Sequence, residues 1–389
     1  MPIVQLVTVS SGQTLNVASA LGSNTLIDVL NGGTLNVLSG GAAFSTVDNG
    51  VVHVSGGMVS GTTVETGGEL DIFSTGTATE TLAGVAIVNV FSGATAIRTT
   101  LSGFFDDSIM EVFSGGTAGF TTVSTNGEVD VLSGGFSFST TITDNGVENV
   151  AKGATVSGTT VNGSGSQDVF GGGTASGTTV NGPGFQQTFS GGTAIGTVVN
   201  SGGQQVTFGS ASNTVLNSAG RETIGSGGIA IATTVSSSGE EDILSGGTAI
   251  NTAINTGGFE FISRGGKAIF SLVNGGDQFV SPGGAAISAT VNSGGLQDIS
   301  SGGTAIGTTI NSGGSEVVLA GGTTSAATIN GGDLVLNAGA VATGPITFAG
   351  SGRLFFDNVP SNVISGFGTR PVNSPDWRPR HESNVHPPM

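Results

Sequence analysis

Apolar and polar positions recur along this chain with a period of about 19 residues, so one unit is nearly a copy of the next. A glycine opens each unit, as at Gly115, Gly134, Gly153, Gly172 and Gly191, and later at Gly246, Gly265, Gly283, Gly302 and Gly321. Eight residues on stands a β-branched residue, as at Val123, Ile142, Val161, Val180, Val199 and Ile310. Three residues before the next opening glycine stands another, as at Val131, Val150, Val169, Ile243 and Ile299, with Thr188 as the exception. A second glycine divides the unit, as at Gly146, Gly165, Gly184 and Gly314. The runs between glycines hold about five to seven residues rich in Val, Ile and Thr, bounded by Gly, Ser and Asn, which predicts strands rather than helices.

Two short strands per 19-residue unit, with no helical stretch between them, predict an all-β, single elongated parallel β-helix (β-solenoid). Each unit is then one coil lying on its neighbour at strand spacing. Val161, Val180 and Val199 are expected to stack in a narrow dry interior, with glycine bending the corners at positive φ. Roughly 16 coils at about 4.8 Å each predict a rod near 80 Å long. An Asn column follows the first strand at Asn162, Asn181, Asn200, Asn255, Asn274, Asn292, Asn311 and Asn330. Asn tolerates the left-handed conformation at a turn, and stacked amides can bond one another as a structural ladder.

Departures from the period mark the boundaries. Residues 1–38 alternate apolar and polar without the full unit and read as a cap with irregular first coils. Residues 39–345 carry the repeats, and 346–367 read as closing strands. Residues 368–389 hold five of the ten prolines and the one tryptophan, and are expected to be a disordered tail. The stretch Ser102–Ser108, with Phe104, Phe105, Asp106 and Asp107, lengthens one coil; it reads as an insertion at a turn, or as a loop able to touch a sugar or Ca²⁺.

Composition narrows the function. With 9 Lys and Arg against 26 Asp and Glu the net charge is −17, which excludes a nucleic-acid partner, whose phosphates call for the opposite sign. No cysteine is present, so disulfides, thiolate metal sites and thiol catalysis are excluded. There is no apolar run long enough for a membrane span, and the first residues lack a charged region followed by an apolar one, so export is expected to use another signal or a longer reading frame. Chemistry is sparse. His53 is the sole histidine in the repeats, and Asp130, Asn149 and Asp168 share a column with Asp242 and Asp298. Paired acids can hydrolyse glycosides or hold Ca²⁺, but such a column is more simply the solvated face of a strand. No catalytic, cofactor or metal residue is assigned.

The unit GGTA-x-GTT(V/I)N-SGG, as in Gly172–Gly184 and Gly302–Gly314, resembles the passenger repeats of bacterial autotransporter adhesins of the AIDA type. That resemblance implies a secreted or outer-membrane-surface β-helix acting as adhesin or stalk. It also implies heptose O-glycosylation on Ser and Thr by a glycosyltransferase, and a host-cell or surface glycan or protein as ligand. Thr160, Thr179, Thr234, Thr290 and Thr309 precede the inward β-branched column by one residue, so alternation points them outward, and they are the expected acceptors. The chain departs from the pattern in showing neither an export signal nor the alternating strands of an outer-membrane barrel. The function expected is a non-catalytic adhesin or stalk with a repetitive binding surface. A polysaccharide-acting β-helix enzyme is the second reading. An ice-binding solenoid is the third, weakened because only one outward Thr column is evident where a flat lattice would want two.

Overall fold

The computed structural model describes residues 5–103, 107–357 and 364–365. Every regular element among the described residues is a strand, and the strands of successive coils pair in parallel. The chain forms two compact units, one of Met1–Val215 with Ala219–Glu222 and one of Leu216–Ser218 with Thr223–Met389. Each is a parallel β-solenoid with three sheets.

Within the first unit, one coil runs through Thr174–Ser176 in sheet I, Thr179–Val180 in sheet II and Phe185–Thr188 in sheet III. The next coil lies below it in strict register, with Thr174 opposite Thr193, Val180 opposite Val199 and Phe185 opposite Gln204. In the second unit the same order appears as Thr304–Ile306, Thr309–Asn311 and Ser315–Val318. Coils are therefore three-stranded where the spacing of glycines predicts two strands. The first run is broken at Gly177, whose φ of 64° turns the chain between sheets I and II. Its N–H donates to the Ile195 carbonyl one coil on, at 2.8 Å. At the same corner other coils place Ser139, Asn251 or even Phe270 at φ 54°, 58° and 60°. A bulky residue there is strained by about 1–2 kcal/mol, and it is held because stacking fixes the corner: the Phe270 N–H donates to the Ile287 carbonyl at 2.9 Å. A corner that takes glycine in some coils and Ser, Asn or Phe in others leaves only an irregular mark in the sequence.

The Gly-Gly pairs divide two tasks. Gly302 supplies a φ of 78°, whereas Gly303 has no room for a side chain, since a Cβ there would lie 2.5 Å from the Val280 carbonyl oxygen of the preceding coil. The Ser-Gly-Gly turn is thus a corner at which one coil's backbone seats directly on another.

Inside, Val161, Val180 and Val199 stack fully buried, as do Ala175 and Ala194 from sheet I and Val150 and Val169 from sheet III. Burying each such aliphatic side chain contributes about 1.5–3 kcal/mol. The interior is not uniformly dry, however. Two residues before the apolar position of sheet III, and therefore on the same inward face, stand Glu148, Gln167, Gln186 and Gln205 in the first unit, all fully buried. Gln167 Nε2 donates to Glu148 Oε2 at 2.8 Å, Gln186 Nε2 to Gln167 Oε1 at 2.7 Å and Gln205 Nε2 to Gln186 Oε1 at 2.9 Å. Hydroxyls from the residue just before each sheet II strand complete the rungs, with Thr159, Thr178 and Thr197 donating to the side chains at 148, 167 and 186 at 2.8–3.0 Å. The ladder satisfies polar groups that would otherwise cost about 1–3 kcal/mol each. In earlier coils the column is apolar (Leu70, Val88, Met110, Val129), and the corresponding hydroxyls of Thr81, Thr99 and Thr121 lack partners.

Candidate functional site

The outward faces are columns, because each position of a coil repeats at the next. In sheet II, Thr100, Thr122, Thr141, Thr160 and Thr179 lie in one register line in the first unit, half-buried between neighbours. In the second unit Thr234 leads to Ala253 and Leu272, and then to Thr290, Thr309 and Thr328. The five threonines named from the sequence as acceptors therefore face solvent edge-on, each beside a buried β-branched residue. Sheet I carries a second hydroxyl column, including Thr155, Thr174 and Thr193, on a different face from the first. The spacing of sheet II alone did not reveal it, because it required knowing that the first run bends.

Corner serines are more open than either column. Ser92, Ser114 and Ser133 in the first unit and Ser226, Ser245 and Ser301 in the second sit exposed in the Ser-Gly turns, where the hydroxyl stands clear of the sheet. Strand alternation does not point to them, because a turn residue belongs to no strand face. The signal was present, as Ser-Gly-Gly is the most regular tripeptide in the chain.

The Asn column forms amide ladders at the corner between sheets II and III. Asn181 Nδ2 donates to Asn162 Oδ1 at 3.1 Å and Asn200 Nδ2 to Asn181 Oδ1 at 2.8 Å. In the second unit Asn292 donates to Asn274 at 2.7 Å, Asn311 to Asn292 at 2.7 Å and Asn330 to Asn311 at 2.8 Å. Asn255 is opposite Asn274. None of these asparagines has positive φ; that conformation falls one or two residues later, at Gly163, Gly182, Gly294 or Gly313. The column is held by its side chains and not by the backbone preference expected of it.

The acidic column is present in sheet III but is broken by other residues. Asp130, Asn149 and Asp168 are in register, and Asn149 Nδ2 donates to Asp130 Oδ1 at 2.8 Å, so an amide stands between the two acids. Asp242 and Asp298 are separated by Phe261 and Phe279, whose rings stack at 5.2 Å. Burial raises the Asp168 and Asp298 carboxyls above the usual range. Further up, register gives His53 partners that its sequence position did not suggest: Nε2 lies 3.4 Å from Asp71 Oδ2, and Nδ1 3.2 Å from Asn36 Oδ1. Beside this cluster Phe73, Phe91 and Phe113 stack at 4.7 Å between ring centroids. Glu69 is raised by burial and then by the charge of Asp71. Among the described residues no three His, Cys, Asp or Glu side chains converge on a metal position. Phe104, Phe105 and Asp106 of the lengthened turn, and the tail at 368–389, lie outside the described residues.

A family model described as the adhesin of the bacterial autotransporter system, probable stalk, matches residues 260–314. No curated protein sequence matches the chain. Among solved structures, the TibC-catalysed hyper-glycosylated fragment of TibA is 34% identical, covers 79% of this chain and 99% of its own, and superposes with a TM-score of 0.60. The tailspike of Escherichia coli bacteriophage HK620 in complex with a hexasaccharide covers 93% of this chain and 71% of its own at 11% identity and a TM-score of 0.23. A mutant of the periplasmic alginate epimerase AlgG covers 93% and 84% at 10% identity and 0.18. These last two overlaps are too slight to align a site. Identity of 34% over 79% of this chain and nearly the whole of the TibA fragment shows the family: the chain belongs to the AIDA-type bacterial autotransporter adhesins, passengers displayed outside the cell or on the outer-membrane surface.

Proposed function

We propose that the chain is a non-catalytic adhesin or stalk whose repeat region, residues 39–345, presents hydroxyl columns for O-glycosylation and a repetitive surface to a host-cell or surface glycan or protein. The observation that carries this reading is the repetition of solvent-facing hydroxyls on identical coils, together with the glycosylated state of the TibA fragment. A glycosyltransferase is the partner this chemistry calls for. Its acceptors are the sheet II threonines Thr160, Thr179, Thr234, Thr290 and Thr309 and, more accessible still, the corner serines such as Ser114, Ser133, Ser245 and Ser301.

Many equivalent weak contacts act together through avidity, so no single coil needs to hold a complete site. Glycoside hydrolysis needs two acids flanking one bond, whereas Asp130 and Asp168 are interleaved with Asn149, and Asp242 and Asp298 with Phe261 and Phe279.

The test combines modification and binding. The chain is treated with TibC and a nucleotide-activated heptose, the modified residues are mapped by mass spectrometry, and deletions of whole coils are scored for adhesion and for release of reducing sugar. Modification on the named columns, with adhesion that falls gradually as coils are removed, supports the reading. Abrupt loss on removing the coils of Asp130 and Asp168, with sugar released by the intact chain, overturns it.

A further inference from the structure

The interior ladder has a direction. Each glutamine amide donates towards the preceding coil, in the second unit from Gln278 to Glu260 and from Gln297 to Gln278, the latter at 2.6 Å. A rung therefore offers an oxygen to the coil below and requires a donor towards the coil above. Glu316 is the next rung, in register between Gln297 and Leu334. Above it, Gln297 Oε1 already accepts from Thr308 at 2.9 Å and presents only oxygen to position 316. Below it, Leu334 can donate nothing. The hydroxyl that other rungs receive from the residue eleven positions on, as Glu260 does from Ser271, is missing, because that position is Ala327. Glu316 is fully buried, and neither of its oxygens makes a hydrogen bond of good geometry.

We infer that Glu316 is a proton-gated rung: it completes the ladder only as a neutral acid donating to Gln297, and loss of its proton loosens the coils around Ser315–Val318. The charged form would face an oxygen on one side and hydrocarbon on the other, with no cation to pair it. Burial pushes its carboxyl up to about 7, against a smaller opposing effect of the Thr324 hydroxyl beside it. The groups facing it from the packed elements are Gln297, Thr308, Thr324, Ala327 and Leu334, none of them ionisable. The nearest interior carboxyl of the column is Glu260, three rungs away, while Asp298 and the Asp333–Arg353 pair lie on the outward face of the flanking strands. An acidic setting locks this end of the ladder, and a neutral to alkaline one releases it.

The experiment is amide hydrogen exchange on the full chain between pH 5 and pH 9, corrected for intrinsic rates, for the wild type, Glu316→Gln and Glu316→Leu. Glutamine supplies a permanent donor, and leucine extends the apolar column of Leu334. Wild-type exchange across residues 304–336 should accelerate on the order of 100-fold as pH rises through this window, while both variants stay within about twofold. The infrared stretch of a protonated, unsolvated carboxyl should titrate near neutrality in the wild type and lose that component in Glu316→Gln. Wild-type exchange that is flat with pH, a variant that keeps the wild-type slope, or a Glu316 band that titrates in the ordinary carboxylate range would each overturn the inference.

Discussion

The interior columns of the two units are built from the same residue types in the same positions, yet their carboxylates occupy opposite situations. In the first unit Glu148 heads the ladder. It lies under Val129 and receives hydrogen bonds from Ser137 at 3.1 Å, Thr159 at 2.8 Å and Gln167 at 2.8 Å. Three donors converge on its oxygens, so its buried acceptors are satisfied. In the second unit Glu260 lies under Glu241, and Glu316 lies under Gln297. Burial raises both carboxyls, but Glu260 accepts hydrogen bonds from Gln278 and Ser271 that oppose the rise, whereas neither oxygen of Glu316 has a partner. Position in a directed ladder, and not residue type, decides which glutamates find donors: Glu148 finds three and Glu316 none.

The sharpest way to break this comparison is to place a charge where neither situation exists. Val180 is fully buried between Val161 and Val199, with no hydroxyl or amide aimed at it. Val180→Asp should therefore cost about 3–5 kcal/mol and unfold the surrounding coils, because an unpaired charge is left in hydrocarbon. Denaturant melting monitored by circular dichroism measures this. A variant as stable as the wild type would mean that an aspartate there finds donors as Glu148 does.

Asp48 tests whether the first unit contains its own counterpart of Glu316. Its Oδ1 accepts the Gly50 N–H at 2.9 Å, and its Oδ2 has no partner. Burial raises its carboxyl to about 7, opposed by the Gly50 bond and assisted by the charges of Glu69 and Asp71. A native pKa raised above the unfolded value means that the folded chain binds the proton more tightly. The stabilisation is complete below about pH 4, declines as pH rises towards 7, and changes no further above it. The loss is about 4 kcal/mol. Asp48→Asn keeps the acceptor for Gly50 and should remove that slope. Thermal midpoints at pH 4, 5.5, 7 and 8.5 measure it, and parallel profiles for the two proteins would refute it.

What the sequence disclosed and what it withheld follow one physical line. Period, strand faces and the stacked valines were legible because alternation and glycine spacing are local properties. The Gln and Glu column was legible in principle: Gln167 stands two residues before Val169, so the same alternation that turns Val169 inward turns Gln167 inward too. Its polarity hides it, because a polar residue is ordinarily a surface residue. The third sheet was not legible, since its corner is enforced by stacking and accepts Ser139, Asn251 and Phe270 alike. The partners of His53 and the protonation of Glu316 are also set by the neighbouring coil, which no single unit's sequence contains. The hydroxyl surface was half seen, as the threonines follow from alternation whereas the openness of the corner serines depends on the turn.

A smaller perturbation asks whether the rungs below Glu148 act as a chain. Gln186 donates to Gln167, accepts from Gln205, and accepts from Thr197 at 3.0 Å. Gln186→Leu preserves much of the volume but leaves those three buried partners short of one bond each, which should cost about 2–3 kcal/mol. Because no charge is involved, the loss should be the same at pH 5 and pH 8, in contrast to the pH-dependent behaviour of Asp48. A loss that varied with pH would refute this reading of the ladder.

The smallest effect belongs to the outer ladder, which repeats the interior geometry at the surface. Asn181 donates to Asn162 and accepts from Asn200 with bonds as short as those of Gln186, but its column is only partly buried. When Asn181 is replaced by alanine, water can satisfy the two amides left behind, so the desolvation penalty that makes Gln186 costly is largely absent. Asn181→Ala should therefore cost no more than about 1 kcal/mol, and the ratio between the two losses isolates burial as the variable. The measurement is a pair of denaturant melts at one pH, with the double variant included. Positions 181 and 186 share no hydrogen-bond partner, so their effects should add to within about 0.5 kcal/mol. If Asn181→Ala matched Gln186→Leu, the outer amides would be holding the corner itself, and the solenoid would depend on its Asn column as much as on its core.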